Sequence, residues 1–222
     1  MAVVTRARVL DASGRDLRSA SAELTASVAE GPVAIVEAGH LHGLAAGLKG
    51  GEVTIEGDGG DYLGALNDGA TIRVTGRAGR YLGDNMTRGT ILVDGDAGDG
   101  AGAYCYGGTI VIRGNAGHLA GVMNKGATII VGGDVGDDAG TYMLAGDVVV
   151  MGNAGRNLGN YLIRGHIYIA GNWQSLGHNA QLEEMTADDI SRLGTLFKRF
   201  ELDADPAGFE KLGRVSEKPF YK

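Results

Sequence analysis

Forty of the 222 residues are glycine, about 18 per cent where an average protein has about 7 per cent, only three are proline, and the hydrophobic fraction is 44%. Collagen, which needs glycine at every third position with abundant proline, is excluded, and so is a glycine-rich disordered chain, which lacks the aliphatic content to bury a core. A formal charge of −7 without Lys/Arg clusters speaks against nucleic acid or an anionic membrane as partner, and the sparse aromatic residues speak against a base-stacking surface.

From the N-terminus, Met1-Ala2-Val3-Val4-Thr5-Arg6 contains no apolar run of signal-peptide length, and no stretch approaches the ~20 apolar residues of a bilayer span. With a single cysteine, Cys105, and hence no internal disulfide, the expected location is the cytoplasm. Residues 1–32 read as an irregular lead-in and cap. Val33-Ala34-Ile35-Val36, followed by Gly39, Gly43 and Gly47, reads as a decayed first coil of the repeat that comes next.

That repeat has a period of 19 residues. One glycine row runs Gly57, Gly76, Gly95, Gly114, Gly133, Gly152, Gly171; a second Gly60, Gly79, Gly98, Gly117, Gly136, Gly155; a third Gly64, Gly83, Gly102, Gly121, Gly140, Gly159. Together the rows hold nineteen of the forty glycines. Between the triplets lie β-branched runs such as Gly108-Thr109-Ile110-Val111-Ile112. Two alternate strand positions are aliphatic in every repeat: Val53, Ile72, Ile91, Ile110, Ile129, Val148, Ile167 and Ile55, Val74, Val93, Ile112, Val131, Val150, Ile169. Side chains two apart in a strand point the same way, so these fourteen form one continuous column and each repeat sits on the one before. Helical repeats need about 33 residues or more, and a leucine-rich pattern is absent. The predicted fold is all-β: a single-stranded right-handed parallel β-helix of about seven 19-residue coils over residues 33–175.

Within each coil, the row Gly59, Ala78, Ala97, Ala116, Val135, Ala154 and the row Leu63, Leu82, Ala101, Ala120, Ala139, Leu158 are small or apolar, as a narrow interior requires. The glycines are expected at corners, where they permit positive φ and close approach of neighbouring coils. The position after the first glycine is mostly Asp or Asn (Asp58, Asp96, Asn115, Asp134, Asn153, Asn172, with Arg77 the exception), expected to bond its own backbone.

Residues 176–222 read as a C-terminal helix and tail. Thr186-Ala187-Asp188-Asp189 is a helix start, and Ile190, Leu193, Leu196, Phe197 and Phe200 follow at helical spacing, predicting a helix over 186–200. The outward position between the two core rows becomes apolar in five consecutive coils, Leu92, Val111, Ile130, Val149 and Tyr168. An exposed stripe of this kind needs a cover. Its length, about 19 Å at ~4.8 Å per coil, suits a 15-residue helix of about 22 Å, so the C-terminal helix is the expected cover and a partner subunit the second.

Candidate chemistry is thin. The turn carboxylates Asp96, Asp99, Asp134, Asp137 and Asp138 suggest calcium, but the 19-residue period and the interruptions at Arg77, Asn115 and Asn153 favour a turn role. His40 and His42 lack a third metal ligand nearby, His118, His166 and His178 are scattered, and Cys105 has no motif partner, so it reads as a small buried hydrophobe. Tyr104, Tyr142 and Tyr161 share a row with Leu66, Asn85 and Met123 that reads as packing under a turn or an interface. The glycine fragments are not a dinucleotide fingerprint, because they recur in every coil before another strand. No catalytic, cofactor-binding or metal-binding residue is predicted.

Runs such as Gly89-Thr90-Ile91-Leu92-Val93-Asp94-Gly95-Asp96-Ala97-Gly98 resemble the glycine-repeat β-helix domain at the C-terminus of the glutamate synthase large subunit. Stand-alone versions occur as subunits of N-methylglutamate synthase, of formylmethanofuran dehydrogenase and of its formyltransferase/hydrolase relatives. Asp84-Asn85-Met86-Thr87-Arg88-Gly89, Gly102-Ala103-Tyr104-Cys105-Tyr106-Gly107-Gly108, Met123-Asn124-Lys125-Gly126 and Gly159-Asn160-Tyr161-Leu162-Ile163-Arg164-Gly165 most resemble the β-helix subunit of the first of these. The resemblance implies a non-catalytic scaffold in a hetero-oligomer. A class II glutamine amidotransferase-like subunit and a synthase-like subunit carrying FMN and an iron-sulfur cluster would form N-methylglutamate from methylamine and glutamate. The scaffold of a formylmethanofuran dehydrogenase or formyltransferase/hydrolase complex is the alternative. A β-helix enzyme acting on polysaccharide is a third reading, disfavoured because no acidic cluster lines an outer groove.

Overall fold

The repeats stack into one parallel β-solenoid, which the computed structural model describes for residues 7–217. Strands β1 (Arg8–Asp11), β2 (Val33–Val36), β3 (Glu52–Glu56), β4 (Asp68–Val74), β5 (Arg88–Val93), β6 (Thr109–Ile112), β7 (Lys125–Val131), β8 (Ala145–Val150) and β9 (His166–Ile169) follow in order along one sheet. Each pairs in parallel with the next, and from β3 to β9 the core rows keep a 19-residue register, Ile72 on Ile91, Ile110, Ile129, Val148 and Ile167. All fourteen Val and Ile side chains of the two core rows are at most 2% exposed. Burying each contributes ~1.5–3 kcal/mol relative to exposure, repeated at every step. The wall opposite is thinner, a chain of single parallel bridges from Ala78 through Ala97, Ala116, Val135 and Ala154 to Trp173.

The glycine rows divide by physical cause. The third row is left-handed and crowded: Gly83 has φ +66°, and a Cβ there would stand 2.6 Å from Ile110 Cδ1. The second row is selected by approach alone, since Gly60 has no positive φ and its Cβ would stand 2.6 Å from the Leu41 carbonyl oxygen. Positive φ is thus not the common reason for the corner glycines; contact between successive coils is, except at Gly57, which has φ +98° and open space around a Cβ.

Both ends depart from the sequence-based expectation. Residues 8–28 are not an irregular lead-in: β1 adds a parallel rung before β2, and helix α1 (Leu17–Val28) follows. Asp16 caps α1 by accepting from Ser19 N at 3.0 Å, and Ala20 and Leu24 turn into the solenoid core, closing its open end. Residues 1–6 of the expected lead-in lie outside the described residues. At the other end the segment after residue 176 is more than a helix and tail. It holds β10 (Ala180–Glu183), helix α2 (Ala187–Phe200), a 3-10 turn (Pro206–Gly208) and β11 (Glu210–Arg214). Strand β11 inserts antiparallel between β9 and β10, placing Leu212 beside Ile167 as a further step of the core column.

Candidate functional site

The outer apolar stripe lies under α2. Val111, Ile130, Val149 and Tyr168 are buried against Leu193, Phe197, Phe200 and Phe209, with Leu92 and Leu196 partly buried at the margin. Ile190, expected on the same face, is 36% exposed. Helix α2 starts where Thr186 and Asp189 cap each other, the Thr186 hydroxyl accepting from Asp189 N at 3.1 Å and the Asp189 carboxylate from Thr186 N at 3.0 Å. Fourteen residues make it about 21 Å long, and Phe197 also meets Phe209 at 5.3 Å between ring centroids.

A polar cluster fastens the start of α2 to the sheet. The buried Asp189 carboxylate accepts from Tyr168 OH at 2.6 Å, Thr186 Oγ1 at 2.7 Å and the buried Lys211 Nζ at 3.0 Å. Arg192 donates to Tyr168 OH at 2.6 Å and also pairs with Asp147. His166 and Glu183 flank it, His166 Nε2 lying 3.8 Å from Glu183 and Lys211 Nζ 3.9 Å from Glu183. Burial pushes the Asp189 carboxyl up, but hydrogen bonds from Tyr168, Thr186 and Lys211 outweigh it and hold the group well below the usual carboxylate range. Burial and then the Asp189 hydrogen bond push the Tyr168 phenol up, while burial and then Lys211 push His166 down. The sequence marked Tyr168, Thr186, Asp189 and His166 for other reasons, and Asp147, Glu183, Arg192 and Lys211 not at all. The cluster joins β8, β9, α2 and β11, and its charges are committed to one another. Its chemistry is attachment.

The turn carboxylates do not gather. Asp96, Asp99, Asp134 and Asp137 each bond the next coil rather than their own backbone, which corrects the expectation for the Asp/Asn row. Asp58 accepts from Arg77 N at 2.8 Å, Asp96 from Asn115 N at 2.7 Å, Asn115 from Asp134 N at 2.8 Å and Asp134 from Asn153 N at 2.6 Å. The Arg77 N–H and then its guanidinium hold the Asp58 carboxyl down. A parallel ladder runs His42 to Asp61 N at 2.9 Å, Asp99 to His118 N at 2.9 Å, His118 to Asp137 N at 2.9 Å and Asp137 to Arg156 N at 2.8 Å. The reason is geometric: coils ~4.8 Å apart put a short side chain within reach of the next peptide N–H. His40 faces Arg15 O instead, so the two imidazoles part company. No group of three or more His, Cys, Asp and Glu that could hold a metal occurs among the described residues.

Cys105 is fully buried, its Sγ 3.1 Å from Gly83 O, and burial pushes its thiol up to about 12. The same interior row holds two asparagines that sequence reading passed over. Asn67 exchanges two hydrogen bonds with Ala70, and Asn124 does the same with Ala127 at 2.8 and 2.9 Å while also accepting from Gly126 N. Both mark irregular register just before β4 and β7 pair onward. The available signal was a lone polar residue recurring in an apolar row.

The row of Leu66, Asn85, Tyr104, Met123, Tyr142 and Tyr161 is left-handed throughout, φ +52° to +57°. So are Tyr62, Tyr81, Leu119, Asp138 and Asn157 at the same corner, φ +55° to +62°. For such residues this costs about 1 kcal/mol or more each. Side chains point outward here, whereas at the third glycine row they would strike the core. Tyr62 stacks on Tyr81 and Tyr142 on Tyr161, both at 5.0 Å.

A model of one protein family, the GXGXG motif, matches residues 34–196, a span that takes in β3 to β9 and most of α2. No curated protein matches the chain. Among the described residues no helix is long and apolar enough to cross a membrane.

Proposed function

This chain belongs to the GXGXG motif family, which the C-terminal domain of glutamate synthase typifies, and on that premise we propose that it is the β-helix scaffold subunit of N-methylglutamate synthase. The observation that carries the reading is the 19-residue register that the core rows keep from β3 to β9, reinforced by two side-chain ladders. Such a rod holds every outer side chain at a fixed height, which is what a subunit needs in order to position other subunits' active sites. The polar cluster under α2 is consumed in attaching the helix. In this reading an amidotransferase-like companion and an FMN- and iron-sulfur-bearing companion carry the chemistry, and the complex works in the cytoplasm.

The test is purification of the native assembly under non-denaturing conditions, with its companions identified and its absorption spectrum recorded. Flavin absorbance with an amidotransferase-like companion is expected. A metallo-hydrolase-like companion would move the chain to a formylmethanofuran-handling complex. Turnover of methylamine or glutamate by the purified chain alone would end the scaffold reading.

A further inference from the structure

Two neighbouring rows at the left-handed corner carry their side chains on the outside of the middle coils. Tyr104 and Met123 belong to one; Tyr106, Lys125, Leu144 and Ile163 form the other. The second row is registered coil by coil through its backbone, because Lys125 N donates to Cys105 O at 2.7 Å, Leu144 N to Asn124 O at 2.7 Å and Ile163 N to Met143 O at 3.0 Å. Since Cys105, Asn124 and Met143 face the core, the side chains after them face out, along ~14 Å of the rod. Tyr106 is 55% and Tyr104 38% exposed. Set among them is one cation: Lys125 Nζ donates to Tyr106 OH at 2.8 Å, sits 4.0 Å from that ring's centroid and 5.7 Å from the Tyr104 centroid, and pairs with no carboxylate among the described residues. The groups around its charge are thus aromatic.

We propose that this corner docks a companion protein subunit through an apolar surface that brings an Asp or Glu carboxylate to Lys125. Tyrosine and methionine around one unpaired charge match the centres of protein interfaces, where large side chains carry the binding energy and a matched charge fixes the register. A second copy of the chain is the poorer occupant. A two-fold contact centred here would bring Lys125 toward its own copy; and two rows over ~14 Å fall short of the ~800 Å² per partner of a stable interface whatever the occupant. The corner is therefore the anchor of a wider contact with something else.

The proposal rests on the scaffold reading, and the experiment separates the two. Lysine acetylation and tyrosine nitration, read by mass spectrometry, are compared between the native assembly and the isolated full chain. Labelling of Lys125 and Tyr106 should fall at least tenfold in the assembly. Lys125→Glu, a surface change expected to leave the melting temperature unaltered, should cut the fraction of chain that assembles with its companions at least tenfold, and Lys125→Met should cut it less. If companions are bound while Lys125 and Tyr106 label as in the isolated chain, the docking proposal fails and the scaffold reading stands. A chain found with no companion overturns both. Protection that appears in the isolated chain with rising concentration, together with a dimer mass by light scattering, makes the occupant a second copy and overturns the proposal.

Discussion

Replacing Asp189 by Asn tests whether the polar cluster is what holds α2 on the stripe. The carboxylate and Lys211 are 7% and 8% exposed and 3.0 Å apart. Removing one partner of a buried pair costs ~3–5 kcal/mol, because the other charge stays buried without compensation. Glu183 stands 3.9 Å from Lys211 and supplies part of that compensation, so the lower end, about 3 kcal/mol, applies. In a chain this long, about 3 kcal/mol lowers a global melting temperature by about 6–12 °C. Local opening is the sharper readout: the same loss speeds amide hydrogen exchange in α2 about a hundredfold while leaving β5 to β7 unchanged. Lys211→Met should cost less, since Asp189 keeps Tyr168 and Thr186 as donors. The double variant Asp189→Asn/Lys211→Met should be less damaged than the sum of the singles by ~1–3 kcal/mol. Exchange in Asp189→Asn within threefold of the parent, or strict additivity in the double variant, would refute the reasoning.

The cluster also sets a pH response. Burial and Lys211 depress His166 in the folded state, so the unfolded chain binds the proton more readily; the stability from His166 is full above about pH 6.5 and is lost as pH falls through the lower folded value. Melting should therefore drop between pH 7.5 and 5.5, and His166→Gln should flatten that slope. Gly60→Ala drives a Cβ to 2.6 Å from a backbone oxygen and should cost ~1–3 kcal/mol in urea unfolding, whereas Gly208→Ala, in open space, should be close to neutral. Asn124→Ala leaves the buried Ala127 N–H and C=O without their partner and should cost ~2–4 kcal/mol, against ~1 kcal/mol for Asn115→Ala on the exposed ladder. With its thiol pushed up to about 12 and fully buried, Cys105 should react with a disulfide reagent at pH 8 only as fast as the chain unfolds, and at once in strong denaturant.

What could be read from the residues was what repeats. Core rows of Val and Ile at a fixed interval admit a single stacking register, so the β3 to β9 sheet follows from them. Helix α2 carried its own boundary in Thr186 and Asp189 and its own face in Leu193, Phe197 and Phe200. Strands β10 and β11 had no such mark: Ala-Gln-Leu-Glu and Glu-Lys-Leu-Gly-Arg are strands only because the last coil offers an edge to pair with. The cluster around Asp189 was hidden for the same reason, since Lys211 reaches it only after β11 doubles back beside Tyr168. The left-handed tyrosines were concealed by an inference that usually works. Positive φ points to glycine, yet Tyr104 and Tyr161 take it where the side chain leaves the coil and meets nothing in the core.

The two ladders constrain how this chain can change length. Each rung joins a side chain to a peptide group nineteen positions later, so deleting one residue within a coil misaligns every rung that spans the cut. Losing or gaining a whole coil leaves all the others matched and shifts whatever lies beyond by about 4.8 Å. Inheritance should therefore treat the rod as a counted object, its size altered in whole turns, and two companions gripping it at different heights would have their separation set by an integer.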